Sequence, residues 1–559
     1  MKYLAAAVQC ESKLLDREYN VAHLEEWTRK AAAMGAKLIV LPEMGTSGYY
    51  FASRAEAESV AEEIPNGPTV QRFIALAKEL DCYIVVCLPM KEGRRMYNSC
   101  ALVGPEGYWG HCRKMHPYTP DTYWAKNGDK PVEVFDTPIG RIAMLICMDV
   151  SFPESVRMAA VKGAQVVCAP SNWCEPQMPS SIWMTRAYEN QVVMVCPNRH
   201  GVEKGFEFSG GSAVIGQSGI PLAVQREGEG VALAMIDPEA RDDNGEIAAR
   251  RPELYTGLQL SQYHWPNDQM HTTYATPAIG QGGTVKTFVG QFQPVKGDPQ
   301  ANLEKVKAMA AQAAAEGGKL LVLPELALAG RPDTLQEAQA FAVEAGSPPL
   351  QQLAETAAQN GLTLVCGFVL KEDGALYNAA GLYTAAGESL IYRKSHLIPS
   401  EEAWAKAGDT PGVWLDVEGS RIGVLLGSEV WVTELPRVLS NDGCDVIAIP
   451  ADLEKCCLGQ GEGFVNDTHW HIVRVRGNEN NTFFAFANSR GRSGVFHYDM
   501  FSLPFNEALA PAEGEALVSK TLVTTPILWE NGVGTPNPVR NKMMLSTRQP
   551  AWYDVLFEN

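Results

Sequence analysis

Three side chains stand out for the chemistry they would permit together. Glu43 follows the apolar run "KLIVLP", Lys114 follows "GYWGHCR", and Cys147 ends "RIAMLIC" just ahead of a helical segment that opens with Pro153. Such runs read as strands, and open α/β sheets gather their sites outside strand ends, so a carboxylate, an ammonium and a thiol would face one crevice. A thiol beside a cation and a helix N-terminus is expected as thiolate, the attacking species. Glu43 would take the thiol proton and pass one to a leaving amine. Lys114 and the Met148 backbone N–H would stabilise the negative oxygen of a tetrahedral intermediate. The outcome is acyl transfer through a thioester, completed by water. Taken singly, each residue has a plainer reading: a packed core cysteine, a turn glutamate, a solvated "RK" pair.

The elements that must position them follow an α/β pattern. In "NVAHLEEWTRKAAAMGAKLIVLPE", Leu24, Trp27, Ala31 and Ala32 recur at helical spacing before a glycine stop and a continuous apolar run. "VQRFIALAKEL" reads as helix, "CYIVVCLP" as strand, "ALVGPEGYWGHCRK" as a hairpin and "PESVRMAAVKGA" as the helix after Cys147. Helices covering a mixed sheet are the expectation.

The pattern occurs twice. "LIVLPEM" with Glu43 returns as "LLVLPEL" with Glu325, "CRKMH" with Lys114 as "YRKSH" with Lys394, and "WAKNGD" as "WAKAGD", at offsets of 280 to 282. "RRPELYTGL" is answered by "TRQPAWYDVL" near the end. Offsets that drift this little mean two homologous domains. The expected division is 1–258, a linker over 259–283, and 284–559.

Composition excludes several classes. The 559 residues are 46% hydrophobic and 20% charged, ordinary for a globular protein with ample core. A net charge of −18 without a basic cluster argues against nucleic acid. The N-terminus reads as a first strand with no cleavage signal, and no apolar run reaches the roughly 20 residues of a membrane span. The 13 cysteines sit mostly in apolar stretches and suggest reduced thiols and a cytoplasmic protein. "HWH" at 469–471 lacks a companion ligand set, Cys456 and Cys457 are adjacent, and "FSGGS" around Gly210 lacks a phosphate-loop context. None carries a site.

"LPEMGTSGY", "CRKMH…NGD", "ICMDVSFPES" and "TRAYENQVV" resemble, in this order, the signature segments of the nitrilase superfamily of carbon–nitrogen hydrolases. The resemblance covers 1 to about 258 and, more loosely, 284 to about 556. It implies an αββα sandwich, a triad on Glu43, Lys114 and Cys147, and no metal or organic cofactor. Members often use a second carboxylate after the lysine, which implies Asp121, shorter than the usual glutamate. Nitrile-hydrolysing branches follow the cysteine with tryptophan and an acid; "CMDVSFPE" is closer to amidases and carbamoylases. The implied substrate is a small carboxamide or N-carbamoyl compound, with Tyr49, Tyr123, Met148, Asn172 and Trp173 facing it. Arg186 and Glu189 read as a structural ion pair. Nitrile hydrolysis, acyl transfer to an amine, and an inert scaffold are the alternatives.

In the second repeat Glu325 and Lys394 persist, but Gly427 stands at the place of Cys147 and Glu429 at that of Asp149. The expectation is therefore an intramolecular pseudo-dimer of two αββα domains with one working site and one pseudoenzyme half, open to further homo-oligomerisation.

Overall fold

A computed structural model describes residues 1–240, 247, 249–261, 280–453, 468–501 and 503–558, the side chains of 468–470 excepted. They form two compact units, Met1–Ala248 with Arg548–Asn559, and Ala249–Thr547. Residues 249–258, read from the sequence as the end of the first domain, thus group with the second unit, and the last twelve residues group with the first. Most of the linker expected over 259–283 lies outside the described residues.

In the first unit, β1 (Tyr3–Gln9) leads to α1 (Arg17–Ala33), whose first turn is capped by Asp16 accepting the Tyr19 N–H at 3.2 Å. Val21, Leu24, Thr28 and Ala31 form its buried stripe. After β2 (Ala36–Val40) and α2 (Arg54–Val60), α3 (Pro68–Leu80) opens on a proline at N1 and stops at Asp81 in the left-handed region, φ 51°. Three antiparallel strands follow: β3 (Tyr83–Glu92), β4 (Arg95–Gly104) and β5 (Gly107–Arg113).

The second half of the unit comprises β6 (Val134–Thr137), β7 (Gly140–Met144), α4 (Pro153–Val161), β8 (Val166–Cys168), α5 (Ser181–Asn190) and β9 (Val193–Cys196). After these come β10 (His200–Glu203), β11 (Phe206–Ser209), β12 (Ser212–Ile215), β13 (Pro221–Gln225) and β14 (Gly230–Ile236). One sheet has the order β14-β1-β2-β3-β4-β5 and the other β13-β12-β9-β8-β7-β6. They meet through β1, β12 and β14. Leu24, Ala31, Phe73 and Leu76 of α1 and α3 pack on Val8, Ile39, Ile84 and Ala101 of the first sheet. Each large apolar side chain so buried is worth roughly 1.5–3 kcal/mol. α5, buried along its whole length, packs on β9 and β12 of the other sheet and on α4, giving the αββα layering.

The second unit repeats the plan. A seven-stranded sheet runs from Ser389–Arg393 through Ala375–Tyr383, Thr363–Glu372, Leu320–Val322 and Thr284–Gln291 to Ala516–Val523, with Val343–Glu344 beside Thr363–Glu372. A six-stranded sheet extends from Val413–Val417 to Ala508–Leu509.

Buried ion pairs seat both tails. In the first unit Arg548 Nε reaches Glu154 Oε1 of α4 at 2.8 Å. In the second, Arg250 Nε reaches Glu434 Oε1 at 3.2 Å, and the Tyr255 hydroxyl meets His396 Nε2 at 2.7 Å. The expectation of reduced thiols fails at one pair: the register sets Cys87 of β3 opposite Cys100 of β4, and they form a disulfide. The other described cysteines are free.

Candidate active site

Glu43 emerges just past β2, Lys114 just past β5, and Cys147 just past β7. Lys114 is fastened by its backbone N–H to Asn98 O of β4 at 2.8 Å, and Cys147 by its N–H to Pro170 O at 2.9 Å. Cys147 opens a short 3-10 turn, Cys147–Ser151, with φ 48°, a left-handed conformation that non-glycine residues seldom adopt. One carboxylate holds this turn to the loop of the lysine. Asp149 accepts the N–H of Ile146 at 3.0 Å, of Met115 at 3.0 Å and of His116 at 2.9 Å, besides His116 Nδ1 at 3.0 Å. The His116 ring stacks on Phe152 at 3.8 Å.

Lys114 is the hub. Its Nζ lies 2.7 Å from Glu43 Oε1 and 2.7 Å from Asp121 Oδ2, all three side chains being buried. Asn98 Nδ2 donates to Glu43 Oε1 at 2.7 Å and to Asp121 Oδ1 at 3.1 Å, so amide and ammonium together fix both carboxylates. The Tyr118 N–H and the Tyr49 hydroxyl donate to Asp121 Oδ2 at 2.9 Å and 3.3 Å. The Tyr49 ring lies under Lys114, 5.6 Å from Nζ.

The electrostatics differ from the expected resting thiolate. Burial pushes the Cys147 thiol well above its ordinary range and the Glu43 charge adds to it; Lys114 and the Asn172 N–H directed at the sulfur oppose this without prevailing. These influences favour the protonated thiol over the thiolate in the absence of substrate. Burial and then Asp121 raise the Glu43 carboxyl, against Lys114 and Asn98. For Lys114, burial favours the neutral amine, but Asp121 and Glu43 outweigh it and hold the ammonium charged. The crevice therefore joins a fixed cation to a carboxyl group and a thiol whose proton affinities are both raised.

The structure brings Glu43, Lys114, Cys147, Asp121 and Tyr49 into one cluster, with the backbone of Asn172 at the sulfur. Met148 is the second residue of the nucleophile turn and is half-buried. Neither atom of the Asn172 amide has a hydrogen-bond partner, and the residue is buried. Trp173, also buried, meets Trp183 edge-on at 5.6 Å. Tyr123 is the exception among the proposed substrate-facing residues: it is 72% exposed, because the turn Asp121–Tyr123 buries its carboxylate and points its tyrosine outward. Arg186 and Glu189 pair at 2.6 Å, with Arg186 Nε on Val150 O at 2.9 Å, a brace behind the nucleophile turn.

Asn98 and Asp149 were given no role from sequence. The signal for Asn98 was its repetition as Asn378 inside an otherwise apolar strand. Asp121 has its counterpart in Glu401, 280 positions later. Of the motifs set aside, Cys456, Cys457 and the His469 side chain lie outside the described residues, and His471 is buried with Nδ1 3.3 Å from Arg474. Among the described residues no group of His, Cys, Asp or Glu is arranged to hold a metal ion, and no helix is long and apolar enough to cross a membrane.

The chain is similar to known proteins over a little less than half of its length and to one family over both halves. A nitrilase of Pyrococcus abyssi is 35% identical over 257 residues, 45% of this chain and 98% of its own length. An N-carbamoylputrescine amidase of Arabidopsis thaliana is 31% identical over 272 residues, 44% of this chain and 91% of its own. A citrullinase of Francisella tularensis is 28% identical over 263 residues, 42% of this chain and 91% of its own. The family described as carbon-nitrogen hydrolase matches the chain twice, over residues 4–243 and 287–510. The chain thus belongs to the carbon–nitrogen hydrolases, as a tandem member with two such domains, and is an enzyme for C–N bonds other than peptide bonds.

Proposed function

We propose that the first repeat hydrolyses a small carboxamide or N-carbamoyl compound through a thioester on Cys147, and that the second repeat is a non-catalytic copy. The carrying observation is the buried contact of Lys114 Nζ with Glu43 and Asp121 in the crevice of Cys147. As the sulfur attacks the carbonyl carbon, its proton passes to Glu43, whose raised affinity suits a group that must both accept and release one. The electron pair displaced onto oxygen is met by the Lys114 ammonium and the Met148 N–H. Collapse breaks the C–N bond as Glu43 gives its proton to the departing nitrogen, leaving the thioester. Water, deprotonated by Glu43, then attacks the same carbon, and the sulfur leaves with the proton returned. Asp121 keeps Lys114 charged and in place throughout.

Amides are favoured over nitriles because Met148, not a tryptophan, follows Cys147 in "CMDVSFPE". The relatives named N-carbamoylputrescine amidase and citrullinase support this choice, and the relative named nitrilase supports the alternative. The test is ammonia release from a panel of short amides, ureides and nitriles by the intact chain. Release from amides or ureides, lost in Cys147→Ala, is expected. Release from nitriles alone would overturn the substrate class.

A further inference from the structure

The first repeat carries an element that the second lacks. In the second, the Asn488 N–H donates to the Ser493 hydroxyl at 2.8 Å, and only 489–492 lie between them. In the first, Asn198 donates in the same way to Ser212, also at 2.8 Å, but 199–211 lie between. The additional residues make β10 and β11, a two-stranded sheet of their own. Their turn, Lys204 and Gly205, takes positive φ at both positions, 50° and 85°, a twist that matches paired strands. Pairing sets Glu203 opposite Phe206 and Gly201 opposite Phe208, so these four residues share one face.

The hairpin is tied to two segments that line the crevice. Glu203 Oε1 accepts the N–H of Tyr49 at 2.9 Å and of Tyr50 at 2.6 Å. The Ser209 N–H and hydroxyl reach Trp173 O at 3.0 Å and 3.2 Å, next to Asn172, whose N–H is directed at the Cys147 sulfur. A row of rings follows the first tie outward. The Tyr49 ring lies 5.6 Å from Lys114 Nζ, Tyr50 meets Tyr49 edge-on at 5.3 Å, and Phe206 stacks on Tyr50 at 4.3 Å. Exposure rises along it, from 1% at Tyr49 to 51% at Phe206, with Tyr50 half-buried between. The row thus runs from the cation of the site to the surface. Burial raises the Tyr50 phenol, and Cys174, Tyr118, Glu203 and Cys147 add to it, so this ring stands in the field of the nucleophile. The carboxylate beside the row is already committed: besides the two N–H groups, Glu203 pairs with Arg199 at 2.8 Å. What the row offers a ligand is aromatic surface rather than charge.

We propose that the Tyr49–Tyr50–Phe206 row, completed by the hairpin of the first repeat, is the specificity wall of the crevice and selects substrates whose amide or ureide carries a neutral aryl group. The wall serves the reaction proposed above and rests on that reading of Cys147. Tyr50 and Phe206 meet the aryl group, and Glu203 positions Tyr49 and Tyr50 through their backbone.

Alkylation of Cys147 tests the wall without hydrolysis. The full chain is treated with iodoacetamide or with iodoacetanilide, its N-phenyl form. The rate at Cys147 is read by peptide mapping and divided by that of free glutathione with the same reagent. In wild type the ratio favours the phenyl reagent by about tenfold, near the most that one ring gains by stacking on another. Phe206→Ala, and Tyr50→Leu, which keeps the backbone bond to Glu203, each bring it below about threefold. No preference in wild type, or an undiminished preference in a folded variant, overturns the wall; where one variant fails to fold, the other and the wild-type ratio decide. A chain that shows the preference but releases no ammonia from any amide or ureide overturns the reaction and leaves the wall standing. One that hydrolyses short amides without the preference overturns the wall alone.

Discussion

Lys114 Nζ and Asp121 Oδ2 stand 2.7 Å apart in a part of the protein where both side chains are buried. Asp121 is the largest of the charges that keep the ammonium protonated against burial. Asp121→Asn keeps the shape and removes that charge, so kcat/KM should fall by roughly 100-fold, within the range attributed to a single preorganised electrostatic contact. Steady-state kinetics and circular dichroism check this. A drop below threefold in a folded variant would assign the acid a packing role.

The state of the nucleophile is open to direct reading. Because burial and Glu43 raise the Cys147 thiol well above 9.0, its alkylation by iodoacetamide in the absence of substrate should keep accelerating as pH rises through 9. A plateau already reached near pH 7 would mean a preformed thiolate.

Asp149 joins the nucleophile turn to the loop of the lysine by three backbone N–H groups. Asp149→Ala leaves these buried donors unpaired and should cost about 3 kcal/mol or more of stability, with activity lost in step. Denaturant unfolding gives the measure, and an unchanged midpoint would contradict the role.

The C-terminal residues belong to the unit that carries Cys147. Truncation after Thr547 removes Arg548 and its contact with Glu154, on the helix directly behind the nucleophile turn. Loss of this buried hydrogen-bonded contact between charged groups should cost about 1.5–3 kcal/mol, so the truncated chain should melt lower and turn over more slowly. Full activity and stability after truncation would show the tail to be dispensable.

His111, His396 and His497 are each held down to about 4, burial being the main cause. In the unfolded chain they take up a proton near 6.5 and in the folded chain only near 4. Their contribution to stability is therefore complete above about 6.5 and is lost as pH falls toward 4. Urea midpoints should decline over that window, and His396→Gln should flatten the decline. Parallel curves for variant and wild type would contradict the assignment.

Much of this was legible in the chain. The near-constant offset exposed the repeat, and the apolar runs before Glu43, Lys114 and Cys147 announced strand ends, because strand patterning is local. What stayed hidden was tertiary. Nothing local in "MYNSC" tells that Asn98 reaches two carboxylates from other loops, or that Asp149 spends its charge on backbone. The outward turn of Tyr123 depends on which side of one short turn is buried. A tail motif carries no mark of the unit it joins, so the sequence boundary at 258 and the structural one at 248 part company. The thiolate expectation weighed Lys114 without the desolvation that a closed crevice imposes.

The central claim rests on the sulfur of Cys147. Intact-protein mass spectrometry after rapid mixing with short amides and ureides should show one acyl adduct per chain, mapped to Cys147 and absent from Cys147→Ala, decaying at the rate of turnover. Undiminished product formation by Cys147→Ala, or an adduct mapped to another residue, would contradict the account.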